Sequence, residues 1–294
     1  MSQKSYDDSN ALYLIPTPIG NLEDITLRAI NVLKKVDVIF SEDTRVTNQL
    51  LKTLNIKKAL IANHKFNEDK NKVRLLELLT DGKNVGLVSD RGTPIISDPG
   101  NVLTKCAIAN GFHVISLPGP TALIPALTSS GLDASQFAFF GFLDNKESKR
   151  KKQLEDLKNI NSTMIFYEAP HRIEKTLNNM ISVLGNRKMS ISREISKKFE
   201  EIYRGTIKEI IDEVKSAKGE FVLIVEGNNE LKTFDNLTII EHVNLYIKEG
   251  LNKNEAIKKT AKDRNTSKSI IYNAYHGGKS YETYSWSWKS RKKL

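Results

Sequence analysis

Residues 85–100 read VGLVSDRGTPIISDPG, a short apolar run that passes straight into a loop holding two Gly, two Pro and two Asp. The run VGLV predicts a buried strand. The twelve residues after it predict no packed element, because Gly and Pro break regular structure and leave backbone N–H groups exposed. Ordinary strand-to-helix turns take about two to six residues. A longer loop of this make-up at the carboxyl end of a strand points to a ligand site, since open α/β sheets bind ligands at that edge. Pro99 and Gly100 then open a helix whose N-terminus is expected to suit an anion.

Outward from this stretch, β-rich runs alternate with amphipathic segments up to residue 228. The runs are Ala11–Ile15, Val36–Phe40, Phe112–Leu117, Thr163–Tyr167, Lys188–Ser192 and Phe221–Val225. Val46, Leu50, Leu51 and Leu54 share one helical face, and Val73, Leu76 and Leu79 recur every three residues. Alternation of strand and helix predicts an α/β chain with largely parallel pairing. Two more loops repeat the strand-end placement: PTPIGN at 16–21 and PGPTA at 118–122. None of the three loops is GxGxxG or a P-loop, so a pocket for a cofactor without phosphates is expected.

The 294 residues are long enough for about two domains. The first is placed at 11–120 and the second at 121–228, with the polar stretch LDNKESKRKK (143–152) a surface loop and helix start inside the second. After polar residues 227–235 every pattern is helical. Thr238/Glu241 and Asn252/Glu255 have capping-box spacing, and Ser267 can cap a third helix ending at Gly277. Ala256, Ile257, Thr260 and Ala261 are expected to face Ile270, Ile271 and Ala274 across a turn at Asn265, the layout of a helix-turn-helix over 235–278. Lys268, Tyr272 and Tyr275 are then partly outward, and 279–294 form a basic tail. Nucleic-acid contact and docking or dimerisation are both open to these helices.

Net charge is +10, and residues 229–294 hold 13 Lys or Arg against 7 Asp or Glu. A basic face favours polyanions, nucleic acid before anionic lipid. The longest apolar run, Phe137–Leu143, is far shorter than the roughly 18 residues a membrane span needs. No secretory signal is visible, and Cys106 has no partner for an internal disulfide, which points to a reducing cytoplasm. The five His are scattered without zinc-site spacing, so no metal is expected.

Two further strand ends carry polar groups. After TMIFY come Glu168, Ala169, Pro170, His171 and Arg172; His171 reads equally as a site residue and as a structural hydrogen-bonder. The segment 192–204, SREISKKFEEIYR, mixes cations that could bind phosphate with carboxylates that could hold or deprotonate a hydroxyl.

The series LYLIPTPIGNLEDITLRA, SEDTR, SDRGTPIISDPG, PGPTALIPAL, FYEAPHR, SREISKKFEE and GEFVLIVEG, in order from Leu12 to Gly227, resembles the ribosomal RNA small-subunit methyltransferase I group of the tetrapyrrole methylase superfamily. The terminal helices resemble an appendage of the same group. The resemblance implies two α/β domains with a central cleft plus a small C-terminal all-helical helix-turn-helix domain. It also implies S-adenosylmethionine in the cleft, a homodimer, and methyl transfer to the ribose 2′-hydroxyl of a cytidine in the decoding region of small-subunit ribosomal RNA.

On that basis Gly20, Asp90, Gly92, Thr93, Ile95, Asp98, Thr121, Ala122 and Tyr167 are expected to contact the cofactor. Glu168, Lys198 and Glu201 are candidates for orienting or deprotonating the hydroxyl. Arg91, Lys149, Arg150, Lys151, Lys152, Arg172, Arg193 and Lys197 are candidates for RNA phosphates. Two positions depart from the group: Arg91 stands where relatives have the small residue of SDAGTP, and Phe66 where they typically carry a second His. Arg91 either turns outward to RNA or narrows the pocket. Two other classes share parts of this pattern: a tetrapyrrole C-methyltransferase of the precorrin type, and a nucleic-acid-binding regulator without catalysis.

Overall fold

Five four-residue strands, β1 (Ala11–Leu14), β2 (Val38–Ser41), β3 (Ala59–Ala62), β4 (Val85–Val88) and β5 (His113–Ser116), form a first sheet in the order β3-β2-β4-β1-β5. Every pairing in it is parallel. Helices α1 (Leu27–Lys35), α2 (Thr44–Thr53), α3 (Glu68–Thr80) and α4 (Asn101–Ala109) connect the strands. Thr26 and Asp43 cap α1 and α2 by accepting from the N–H groups of Ala29 and Arg45. All four residues of β1 are buried: Ala11 and Tyr13 pack with Val32, Leu33 and Ile39, and Leu12 and Leu14 pack with Phe40, Leu75 and Leu103 on the other face. A strand covered on both faces reads as a continuous apolar run, which is why β1 and β4 were legible. On α3 the buried stripe is Leu75, Leu78 and Leu79, whereas Val73 is exposed, so the three-residue repeat mistook the phase of the helix.

The coordinates are a computed structural model, in which residues 3–5, 9–214, 218–228, 237–264 and 266–276 are described. The second sheet contains β6 (Phe137–Phe142), β7 (Thr163–Glu168), β8 (Lys188–Arg193), β9 (Glu201–Thr206) and β10 (Phe221–Val225), in the order β6-β7-β10-β8-β9. Here the expectation of largely parallel pairing fails, because only β6–β7 is parallel and the other three pairs are antiparallel. Its helices are α5 (Leu123–Ser129), α6 (Glu147–Leu157), α7 (Ile173–Leu184) and α8 (Ile207–Val214). Met164 and Phe166 of β7 pack with α7, and Ile165 and Tyr167 pack with α5 on the opposite face. Three strands were missed in the sequence. β3 is only ALIA; β6 carries a register shift between Phe139 and Gly141; β9 is an edge strand with the charged make-up that protects sheet edges.

Both sheets lie in one unit ending at Asn228, and a second unit follows from Asn229. In the second, α9 (Ile239–Lys248), α10 (Lys253–Asp263) and α11 (Lys268–His276) form three short helices, with both capping boxes made. Ala256, Ile257, Thr260, Ala261, Ile271 and Ala274 are buried as expected. Ile270 is 54% exposed instead of facing α10, and the Tyr275 hydroxyl donates to Asn244. Asn265, Gly277 and the 279–294 tail lie outside the described residues.

Candidate functional site

The strand order decides where the site forms. β4, β1 and β5 are neighbours, so the 89–100, 16–21 and 117–122 loops leave the sheet side by side. They are stitched together at backbone level. Thr17 and Gly92 exchange two N–H···O bonds of 2.9 Å, and the Thr17 hydroxyl donates to the Ser89 carbonyl. Thr93 Oγ1 donates to the Pro120 carbonyl at 2.9 Å, and Gly119 lies against Pro16, where a Cβ would sit 2.5 Å from the ring. Gly92 has φ +81°, a left-handed conformation that glycine adopts without strain.

A cavity of about 380 Å³ opens between these loops and the second sheet, within the range of small-molecule sites. Ile19, Ile96, Phe142, Ile195, Phe221 and Val222 supply its apolar walls. Arg91, Gly92, Thr93, Asp98, Thr121, Ala122, Tyr167 and Glu168 from the expected set also line it. Tyr167 reaches across from β7 toward Thr121 and Leu123, and its ring meets Phe139 and Phe142 edge-on. Burial raises the Tyr167 phenol above its ordinary value.

Asp98 carries the strongest electrostatic signal. Burial, followed by the like charges of Glu42 and Asp90, pushes its carboxyl up to about 7. Glu42 is raised as well, by burial first and Asp90 second. Asp90 itself stands behind the wall, accepting from the Asp43 N–H at 2.9 Å and so joining the loops after β2 and β4. Among the described residues none of Glu42, Asp90 and Asp98 is ion-paired with a Lys or Arg. A pocket with apolar walls beside uncompensated carboxylates favours a cationic ligand with an apolar body.

The 89–100 loop holds Ile95 and Ser97 at positive φ, +78° and +68°. This alternation turns Ile95 into the core beside Leu87 and Leu103 and presents Ile96 to the cavity, so Ile96 and not the expected Ile95 lines it. The expected anion seat at the start of α4 is also corrected. Glu68, 8% exposed, accepts from the Gly100 N–H at 2.5 Å and fills that helix end with a carboxylate of the chain itself.

The matches with known proteins agree with this geometry. The model of the family described as Tetrapyrrole (Corrin/Porphyrin) Methylases matches residues 11–211. The chain is 46% identical over 284 residues to the ribosomal RNA small subunit methyltransferase I of Bacillus subtilis (strain 168), covering 94% of this chain and 97% of that protein. The chain belongs to this methyltransferase I family of the tetrapyrrole methylases. The protein of the same designation from Streptococcus pyogenes serotype M18 is 42% identical, over 93% of this chain and 98% of its own. The methyltransferase CobJ superposes with a TM-score of 0.57 at 18% identity, covering 75% of this chain and 95% of its own. A uroporphyrin-III C-methyltransferase from Thermus thermophilus, complexed with S-adenyl homocysteine, superposes at 0.53 and 20% identity, over 74% and 97%. These two show the shared fold.

Within this methylase fold, several expected site residues have other duties. Glu168 has a fully enclosed carboxylate that accepts from the Ala169 N–H and Thr176 Oγ1 and pairs with Arg172 Nε at 3.1 Å. It braces the start of α7, so the expected proton-transfer role lacks an open carboxylate. Arg172 donates to the carbonyls of Leu143 and Asp144 and to Asn145 Oδ1. Arg150, only 3% exposed, donates to Asn179 Oδ1 and to the carbonyls of Asp144 and Asn145. Both arginines grip the chain just after Phe142 and hold that cavity wall; their guanidinium groups are committed inside the protein, against the expected phosphate role. Lys149, Lys151 and Lys152 are exposed on α6.

Lys198 and Glu201 lie outside the cavity lining. Lys198 is exposed beside the Phe199 ring, and Glu201 accepts from Arg193 at 2.6 Å and from the Tyr203 hydroxyl. Gly20 does not line the cavity either; it leaves room for the Lys197 stem, with which any side chain there would collide. The cavity-lining residues missed in the sequence are Ile19, Ile96, Ser97, Phe142, Ala169, Pro170, Ile195, Glu220, Phe221 and Val222, and Glu42 and Glu68 were missed behind them. Glu42 and Glu220 stood inside quoted motifs at strand ends, and that placement was the available signal.

Proposed function

We propose that the protein transfers a methyl group from S-adenosylmethionine to the ribose 2′-hydroxyl of a cytidine in the decoding region of small-subunit ribosomal RNA. The observation that carries this reading is the extent of the match: 94% of this chain aligns with 97% of the Bacillus subtilis ribosomal RNA small subunit methyltransferase I. The methyltransferase CobJ and the uroporphyrin-III C-methyltransferase cover only 74–75% of the chain. The cavity is consistent with the cofactor, because a sulfonium and an ammonium group suit the Asp98 wall with Glu42 and Asp90 behind it, and no phosphate needs a cradle.

Gly92, Thr93, Asp98, Thr121, Ala122 and Tyr167 are the residues that would hold S-adenosylmethionine. When bound, it supplies an already activated methyl group. The chain then has to hold the 2′-oxygen in line with that methyl carbon and exclude water, and positioning is the larger part of such catalysis. Glu168 and Arg172 act indirectly in this reading, by fixing the β7 end and the Phe142 wall. Lys198, Glu201 and Arg193, with exposed Lys149, Lys151 and Lys152, belong to the RNA-facing surface. A homodimer is part of the same proposal, and light scattering coupled to size exclusion tests it. No helix among the described residues is long and apolar enough to cross a membrane, and none of their His, Cys, Asp and Glu side chains gather as a metal set.

The test uses radiolabelled S-adenosylmethionine with small ribosomal subunits from a host lacking the activity, beside naked RNA and a porphyrinoid. Label on one cytidine ribose is the expected result. Cofactor binding with no label on either RNA, or label on the macrocycle, would overturn the reading.

A further inference from the structure

At the mouth of the cavity the two sheets are joined by a chain of four charges. Arg91 Nη1 lies 2.6 Å from Glu220 Oε1, and Lys197 Nζ lies 2.9 Å from Glu220 Oε2, so each carboxylate oxygen takes one cation. Lys197 Nζ also meets Glu194 Oε1 at 2.9 Å, and that oxygen accepts the Glu220 N–H at 2.9 Å. The Lys197 side chain is 20% exposed and threads past Gly20, whereas Glu220 is 63% exposed and Arg91 54%. Glu194 and Ser196, both just before this lysine, sit at φ +51° and +70°, a strain that non-glycine residues keep only where the surroundings enforce it. Lys197 is therefore held by the fold, whereas Arg91 and the Glu220 carboxylate between the two cations are both largely exposed. Gly219, at φ +113°, precedes it.

Two cations, each addressing one oxygen of a shared anion, are also arranged to take the two non-bridging oxygens of a phosphodiester. Arg91 and Glu220 line the cavity directly and are themselves largely exposed, so the seat lies on the solvent-facing side of the cavity. We propose that Glu220 is a built-in placeholder for an RNA phosphate: it occupies the seat between Arg91 and Lys197, and a phosphodiester of the RNA segment entering the cavity displaces it. Charge is conserved in the exchange, one anion leaving the two cations as another arrives. The released Glu220 swings to solvent, and Glu194 keeps Lys197 in place. This inference rests on the RNA-substrate reading and assigns a positioning role to a residue outside the expected set.

The experiment measures binding of a short single-stranded oligoribonucleotide by fluorescence anisotropy over a series of salt concentrations. Glu220→Gln removes the competing anion at nearly constant shape. Exposed ion pairs are weak, so their removal as competitors should tighten binding roughly three- to tenfold. Arg91→Ala should weaken binding and lower the salt slope by about 0.7, the value of one single-strand phosphate. The gain from Glu220→Gln should fall to less than about twofold in the Arg91→Ala background, because the seat is then broken. Glu220→Asp, too short to reach both cations, should give an intermediate gain and serves as the second variant. No gain in either variant, or an undiminished gain without Arg91, which a general charge effect would produce, overturns the placeholder. Methyl transfer to small subunits, measured in parallel, reports on the functional reading separately: oligonucleotide binding as expected with no subunit label would leave the placeholder standing and sink that reading.

Discussion

Asp98→Asn should make the ligand-free protein more stable, and only at the higher pH values. The Asp98 carboxyl is pushed up to about 7 from 3.8 by burial and by Glu42 and Asp90. An acid whose pKa is raised on folding binds more protons folded than unfolded between those two values. Folding stability from this group is thus fully present below about pH 4, falls as pH rises, and levels off above about pH 7. At about 1.4 kcal/mol per pH unit the full difference is roughly 4 kcal/mol; discounted by half for the partial exposure of Asp98, it is roughly 2 kcal/mol. The Asn variant lacks this slope. Its melting temperature should match wild type near pH 4.5 and exceed it by roughly 4–8 °C at pH 8, given about 2–4 °C per kcal/mol for a unit of this size. Thermal unfolding by circular dichroism at pH 4.5, 6 and 8 provides the comparison. In a companion titration, wild-type affinity for S-adenosylmethionine should rise from pH 6 to 8, while the variant binds more weakly and with a flatter profile. Parallel melting curves at every pH, or a variant less stable at pH 8, would refute the account of Asp98 as an uncompensated carboxylate awaiting a cation.

Other expectations follow from individual contacts. Glu68→Ala strips the buried acceptor from the Gly100 N–H and should cost about 2–3 kcal/mol in urea unfolding, with weaker cofactor binding because the 89–100 loop ends there. Arg150→Ala should cost a similar amount, about 2–3 kcal/mol, and leave the salt slope of RNA binding unchanged in the folded protein. Replacing Lys149, Lys151 and Lys152 together should do the opposite, sparing stability and lowering that slope by about 2. Gly92→Ala, at φ +81° with a Cβ 3.2 Å from Ile19, should cost about 1–2 kcal/mol and reduce cofactor affinity measured by calorimetry.

Local chemistry was enough to read the β1 and β4 strands, the three strand-end loops and both capping boxes from the sequence by itself. A strand buried on both faces must be apolar throughout, a loop that breaks regular structure must contain Gly and Pro, and a cap must stand at a helix start; each demand falls on residues adjacent in the chain. The phosphate-free character of the pocket was legible for the same reason, since a phosphate cradle is a local glycine pattern. Tertiary structure alone decided what those residues face. The order β3-β2-β4-β1-β5 brings loops from the two ends of the first 122 residues into one wall, and the antiparallel β10 carries Glu220 to the cavity. Arg150 and Arg172 read as surface cations because the partners that bury them, Asn179 for Arg150 and the Leu143 carbonyl for Arg172, each lie 29 residues away in sequence. Glu68 and Glu42 went unassigned for the matching reason: a carboxylate's role depends on whether a distant N–H, a cation or another carboxylate lies beside it, and that distance is set only when the chain is folded.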